Sequence, residues 1–173
     1  MKKRLLAGTL VAVMTFGMMP AALAGNDDVT ASENKPSFKI NSYEDLQNAI
    51  NGASGDNYTI SLDTNIHGIV KIPADKNVTI DLNGYNIESS DGYTLVNKGT
   101  LTIVGNGEVL TSAGESAAVA NFPDAVANLN GGTYVSDQWH AIKNLGKMTI
   151  NGDVTAKKPE SSDDTFAVIE NGW

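Results

Sequence analysis

The sequence predicts an all-β solenoid, a stack of short parallel coils closed at its start by one helix. Three observations predict it. A hydrophobic-x-Asn triplet recurs as Leu95-Val96-Asn97, Val119-Ala120-Asn121, Ile142-Lys143-Asn144 and Ile169-Glu170-Asn171, with its asparagines 24, 23 and 27 residues apart. Apolar and polar side chains alternate with period two from Tyr58 onward, as they do in strands. Glycine turns at Asn83-Gly84, Gly105-Asn106-Gly107, Gly131-Gly132 and Asn151-Gly152 interrupt that alternation at similar places. Self-similarity at such a period denotes stacked repeats, because one coil cannot enclose its own apolar face and neighbours above and below can.

The chain opens with processing information. Lys2, Lys3 and Arg4 precede an apolar stretch from Leu5 to Met19, and Ala22-Leu23-Ala24 forms a small-x-small cleavage site. Residues 1–24 therefore read as a secretory signal peptide cut after Ala24, which predicts a secreted or cell-surface protein with no membrane insertion after cleavage. The cut removes three cations and no acid, leaving 149 residues with 9 lysines, 20 acids and a net charge of −11. Such a surface argues against nucleic acid and anionic lipid as partners, since both need concentrated positive charge. The mature chain has neither arginine nor cysteine, so packing and hydrogen bonds must hold it together.

Residues 25–36 are polar and carry Pro36, the composition of a disordered leader; residues 37–173 form the expected domain. Phe38-Lys39-Ile40 alternates like a short strand. Ser42 with Asp45 three residues on is a capping-box variant, and Leu46, Ala49 and Ile50 fall on one helical face before Asn51-Gly52 ends the helix.

The coils then align. Asn77-Val78-Thr79-Ile80 matches Thr100-Leu101-Thr102-Ile103 and Lys147-Met148-Thr149-Ile150. Alternation directs Val78, Ile80, Leu101, Ile103, Met148 and Ile150 inward and the three threonines outward. The coil beginning near Ala125 is irregular, because Phe122-Pro123-Asp124-Ala125 adds about two residues to its turn. The asparagines share the inward parity of Leu95, Val119, Ile142 and Ile169, so their amides should stack and bond one another between coils about 4.8 Å apart. At the other end Ile169-Glu170-Asn171-Gly172-Trp173 starts a repeat with no strand after it, which predicts an open or truncated C-terminal edge, a fragment of a longer protein, or self-association through that edge.

Together these residues resemble the right-handed parallel β-helix, pectate-lyase-like superfamily, and within it the non-catalytic secreted or surface bacterial type. The likeness covers about Phe38 to Trp173 and rests on core and turn residues, among them Val78, Leu101, Asn97, Asn144 and Ile150. The resemblance implies that the opening strand and helix are an N-terminal cap. It does not supply a catalytic set. Lyases of this fold use an arginine base, which the mature chain lacks; hydrolase signatures are matched only by Asp163-Asp164, without a Gly-His-Gly.

No catalytic residue, metal ligand set or cofactor motif is assigned. Neither His67 nor His140 has a serine or carboxylate at a triad or metal spacing, so both read as turn or strand-edge histidines. The candidate ligand-binding cluster is Tyr134, Asp137, Gln138, Trp139 and His140. Aromatic faces suit sugar C–H surfaces and the neighbouring amide and carboxylate suit hydroxyls. The plainer alternative has Trp139 packing on Phe166 one coil later. The expected function is a secreted or surface scaffold, adhesin-like or carbohydrate-contacting, with a polysaccharide or a host or cell-wall glycan as partner. The alternatives are an N-terminal fragment of a polysaccharide lyase or glycoside hydrolase, and a purely structural spacer.

Overall fold

The computed structural model describes residues 39–55, 58–158 and 167–172. The signal peptide, the leader, Phe38, Asp163-Asp164, Phe166 and Trp173 lie outside the described residues. The first described element is helix α1, Tyr43–Gly52. Ser42 caps it, accepting the Asp45 N–H at 3.1 Å, while the Asp45 carboxylate reaches back to the Asn41 N–H at 3.1 Å. Ser42 thus satisfies a donor that the first turn leaves orphaned, and Asp45 fastens the chain entering the helix. Leu46, Ala49 and Ile50 form its buried stripe, as their spacing requires; burying Leu46 and Ile50 contributes about 1.5–3 kcal/mol each.

Five coils of three strands follow. The first is β1 (Tyr58–Ser61), β2 (Ile66–His67) and β3 (Val70–Ile72); the second is β4 (Asn77–Asp81), β5 (Ile87–Ser89) and β6 (Leu95–Asn97). The third is β7 (Thr100–Val104), β8 (Glu108–Thr111) and β9 (Val119–Asn121), and the fourth is β10 (Val126–Leu129), β11 (Thr133–Ser136) and β12 (Ile142–Asn144). The fifth is β13 (Lys147–Ile150), β14 (Thr155–Lys157) and β15 (Ile169–Asn171). Corresponding strands pair in parallel into three five-stranded sheets, β1-β4-β7-β10-β13, β2-β5-β8-β11-β14 and β3-β6-β9-β12-β15. This is an all-β parallel β-helix with a helix before its strands.

The expected register holds residue by residue: Val78 pairs with Leu101, and Ile80 with Ile103. In the irregular coil Val126 pairs with Thr100 and Ala127 with Leu101, so two extra residues are accommodated in the turn and the strand keeps its phase. Val78, Ile80, Leu101 and Ile103 are all fully buried. The last coil departs from the expected enclosure. Met148 and Ile150 keep inward register with Ala127 and Leu129. Yet Ile150 is 43% exposed, and Ile169 41%, because no described strand pairs with the far edges of β13, β14 and β15. The N-terminal edge is covered differently. Gln47 of α1 donates to Lys71 O at 2.9 Å and accepts Lys71 N–H at 3.0 Å, standing in for a neighbouring strand beside β3.

The asparagines form the expected ladder. Asn97 Nδ2 donates to Asn121 Oδ1 at 2.7 Å, Asn121 to Asn144 at 2.8 Å, and Asn144 to Asn171 at 2.6 Å. Asn97 and Asn121 also donate to Val126 O and Lys147 O on the adjoining strands. Gly99 and Gly146 make the bend after the ladder passable: a Cβ on Gly99 would lie 2.2 Å from Pro73 O, and one on Gly146 would lie 2.4 Å from Phe122 O. Among the described residues no helix is long and apolar enough to cross a membrane.

Candidate functional site

The corner between the second and third sheets collects the candidate residues. Strands β11 and β12 are joined there by residues 137–141, which carry Asp137, Gln138, Trp139 and His140. Asp137 and Gln138 are exposed, and Trp139 is half-buried. Its backbone N–H donates to Ser136 Oγ at 3.0 Å, which fixes where the indole leaves the chain.

Around that indole the structure assembles groups from two coils. Lys143 Nζ lies 4.7 Å from the ring centroid, a cation–π contact. The imidazole of His140 sits 4.7 Å from it, tilted by 44°. Lys143 and Glu170 are register partners on β12 and β15, and their charged ends meet at 2.9 Å. Glu170 Oε2 is enclosed and also lies 3.4 Å from His140 Nε2; Lys143 supplies the charge beside it, and among the described residues it has no well-aligned hydrogen bond. His140 Nδ1 is 2.6 Å from Ala167 O. A carbonyl only accepts, so Nδ1 carries the proton and Nε2 faces the carboxylate. His140 is 7% exposed and fastens one coil to the next, the structural use expected of a turn histidine.

Tyr134 does not belong to this surface. It pairs with Val109 on β8, points inward with Ser136, and is fully buried, its hydroxyl donating to Gly131 O at 2.9 Å. Burial raises its ionisation well above that of an ordinary phenol. Strand parity decided this: alternation along β11 sends Tyr134 inward, however close it lies in sequence to Trp139. What the structure brings together at the corner is thus Asp137, Gln138 and Trp139, with Lys143 and Glu170 added by coil register. A second aromatic contact, Tyr93 against Phe122 with centroids 6.4 Å apart and Lys98 5.5 Å from the Phe122 ring, joins the second coil to the turn after β9.

Two further features of the same corner escaped sequence reasoning. His67 Nδ1 lies 2.5 Å from Glu88 Oε1, because β2 and β5 set these residues side by side from 21 positions apart. A column of buried hydroxyls, Ser89, Thr111 and Ser136, closes the second sheet. Each accepts a backbone N–H just downstream, from Asp91, Ala113 and Trp139 respectively. Thr111 and Ser136 also donate backward, to Gly92 O and Ser116 O on the preceding coil. Recurrence of Ser or Thr at the ends of β5, β8 and β11 was the available signal.

Set against family models, curated proteins and solved structures, the chain matches none. Its class rests on its own geometry, that of a parallel β-solenoid of about five coils with an N-terminal helical cap. Among the described residues no group of three or more His, Cys, Asp or Glu side chains is arranged to hold a metal ion.

Proposed function

We propose that this chain is an exported, surface-displayed β-helical scaffold of the pectate-lyase-like type that contacts carbohydrate and acts as an adhesin-like module without its own catalysis. The observation that carries this reading is the corner where a half-buried Trp139, held by Lys143, stands between exposed Asp137 and Gln138 and the Lys143–Glu170 pair. An aromatic body with acceptors and donors at its rim suits a sugar ring, whose C–H face stacks while its hydroxyls are bonded. The signal-peptide pattern of residues 1–24 supports export, and the partner is a polysaccharide or a host or cell-wall glycan.

The test is a glycan array and a cell-wall pull-down with wild type, Trp139→Ala and the double variant Asp137→Ala/Gln138→Ala. Loss of at least ten-fold in retention is expected for Trp139→Ala. Retention unchanged in both variants would remove this corner from the reading. Absence of binding to every polysaccharide would leave the solenoid as a spacer. Shortened products from uronate or neutral polymers, with or without calcium, would favour a lyase or hydrolase.

A further inference from the structure

From a cleft at the start of the same corner we infer a second carbohydrate subsite, one that takes a neutral sugar unit and rejects a uronate; this rests on the reading that the corner contacts glycan. The cleft holds about 360 Å³ and is lined by His67, Glu88, Ser89, Asp91, Leu110 and Ser112. Its origin is a difference in corner length. Residues 90–94, 112–118 and 137–141 make the turn in the second, third and fourth coils, whereas only residues 68–69 make it in the first. The first coil cuts the corner, and the turn of the second is left without a roof.

The hydroxyl column ends at this opening. Thr111 and Ser136 give their protons to carbonyls of the preceding coil, but Ser89 has no such turn above it. Its Oγ accepts the Asp91 N–H at 3.2 Å and donates to no described group, although the residue is only 6% exposed. In the first coil's short turn, Ile69 O is already taken by the Tyr43 hydroxyl at 3.0 Å. A buried hydroxyl with an unused proton at the mouth of a polar cleft is a donor awaiting an acceptor. Asp91 and the carboxylate oxygen of Glu88 that His67 leaves unengaged supply acceptors for sugar hydroxyls, Ser112 supplies either role, and Leu110 offers an apolar wall to a C–H face. The two carboxylates repel an acidic sugar at close range. Gln138 reaches across toward Gly114 of the third coil's turn, where a Cβ would lie 3.3 Å from its Oε1. The cleft and Trp139 thus lie on one edge, and a glycan running along the solenoid axis would meet both.

The experiment is saturation-transfer NMR on the full exported chain with cellotetraose, mannotetraose, xylotetraose and, as the acidic control, a galacturonate tetramer. At least one neutral tetramer is expected to receive saturation and the acidic one none. Ser89→Ala and Asp91→Asn should each weaken that binding five-fold or more, with far-UV circular dichroism unchanged. Neutral binding that survives both variants but is lost in Trp139→Ala would overturn the cleft and spare the aromatic corner. Equal transfer to the galacturonate tetramer would overturn the claimed selectivity, and no transfer to any tetramer would overturn both subsites.

Discussion

Replacing Asn121 with alanine tests the ladder where it is most enclosed. The side chain is 1% exposed, accepts from Asn97 at 2.7 Å, and donates to Asn144 at 2.8 Å and Lys147 O at 3.1 Å. Three hydrogen bonds at about 1 kcal/mol net each give a loss of about 3 kcal/mol. The neighbours soften it: Asn97 Nδ2 keeps Val126 O at 2.9 Å, and Asn144 Oδ1 keeps the Gly146 N–H at 3.3 Å. Lys147 O lies on β13, whose parallel pairing with β10 still serves it with a backbone donor, so the total stays at or a little below that figure. For a domain of this size that is a fall in Tm of about 10 °C. Asn171→Ala removes the same amide from the exposed last rung and should lose less than half as much. Guanidinium unfolding followed by far-UV circular dichroism measures both. Equal losses at the two rungs, or a loss below about 1 kcal/mol at Asn121, would refute the burial argument.

The remaining predictions concern the core, a close approach and alkaline pH. Ile103→Ala, at a fully buried site, should cost about 3–4 kcal/mol, whereas Ile150→Ala, at an equivalent register position that is 43% exposed, should cost about half as much in the same unfolding assay. Gly99→Ala places a methyl 2.2 Å from Pro73 O and 2.5 Å from Lys76 O, and should destabilise by about 1–3 kcal/mol; a Tm within about 1 °C of wild type would contradict that contact. Tyr134 ionises at higher pH folded than unfolded, so its contribution is complete below the unfolded value of 10 and is lost as pH rises beyond it. Tyr134→Phe should lower Tm at neutral pH by the worth of one hydrogen bond and make the decline above pH 10 shallower, measured by thermal melts across that range.

Much of this fold is legible in sequence because two periodicities coincide. Alternation fixes which way Val78 or Ile103 points, and the recurring Asn fixes which coil lies beside which, so register follows from the two together. The first coil resists this reading. Ile72 stands where later coils carry the asparagine, and its corner is two residues long, so the pairing of His67 with Glu88 has no marker. The hydroxyl column is obscured for a different reason: Ser89, Thr111 and Ser136 are spaced 22 and 25 residues apart, and Ser and Thr are common in turns everywhere. Exposure of Ile150 is invisible to any local pattern, because parity gives direction and only the neighbouring layer gives cover. At the candidate site, proximity in sequence grouped Tyr134 with Trp139, and strand geometry separated them.

The amide column has a sense of direction. Every carboxamide hands its proton forward, Asn97 to Asn121 to Asn144 to Asn171, so the small dipoles lie head to tail. Rotating one amide by half a turn would set nitrogen against nitrogen on one side and oxygen against oxygen on the other. Turning the whole file together is closed as well, since it would set oxygens against Val126 O and Lys147 O and amide hydrogens against the Gly99 and Gly146 N–H, so the backbone dictates the direction.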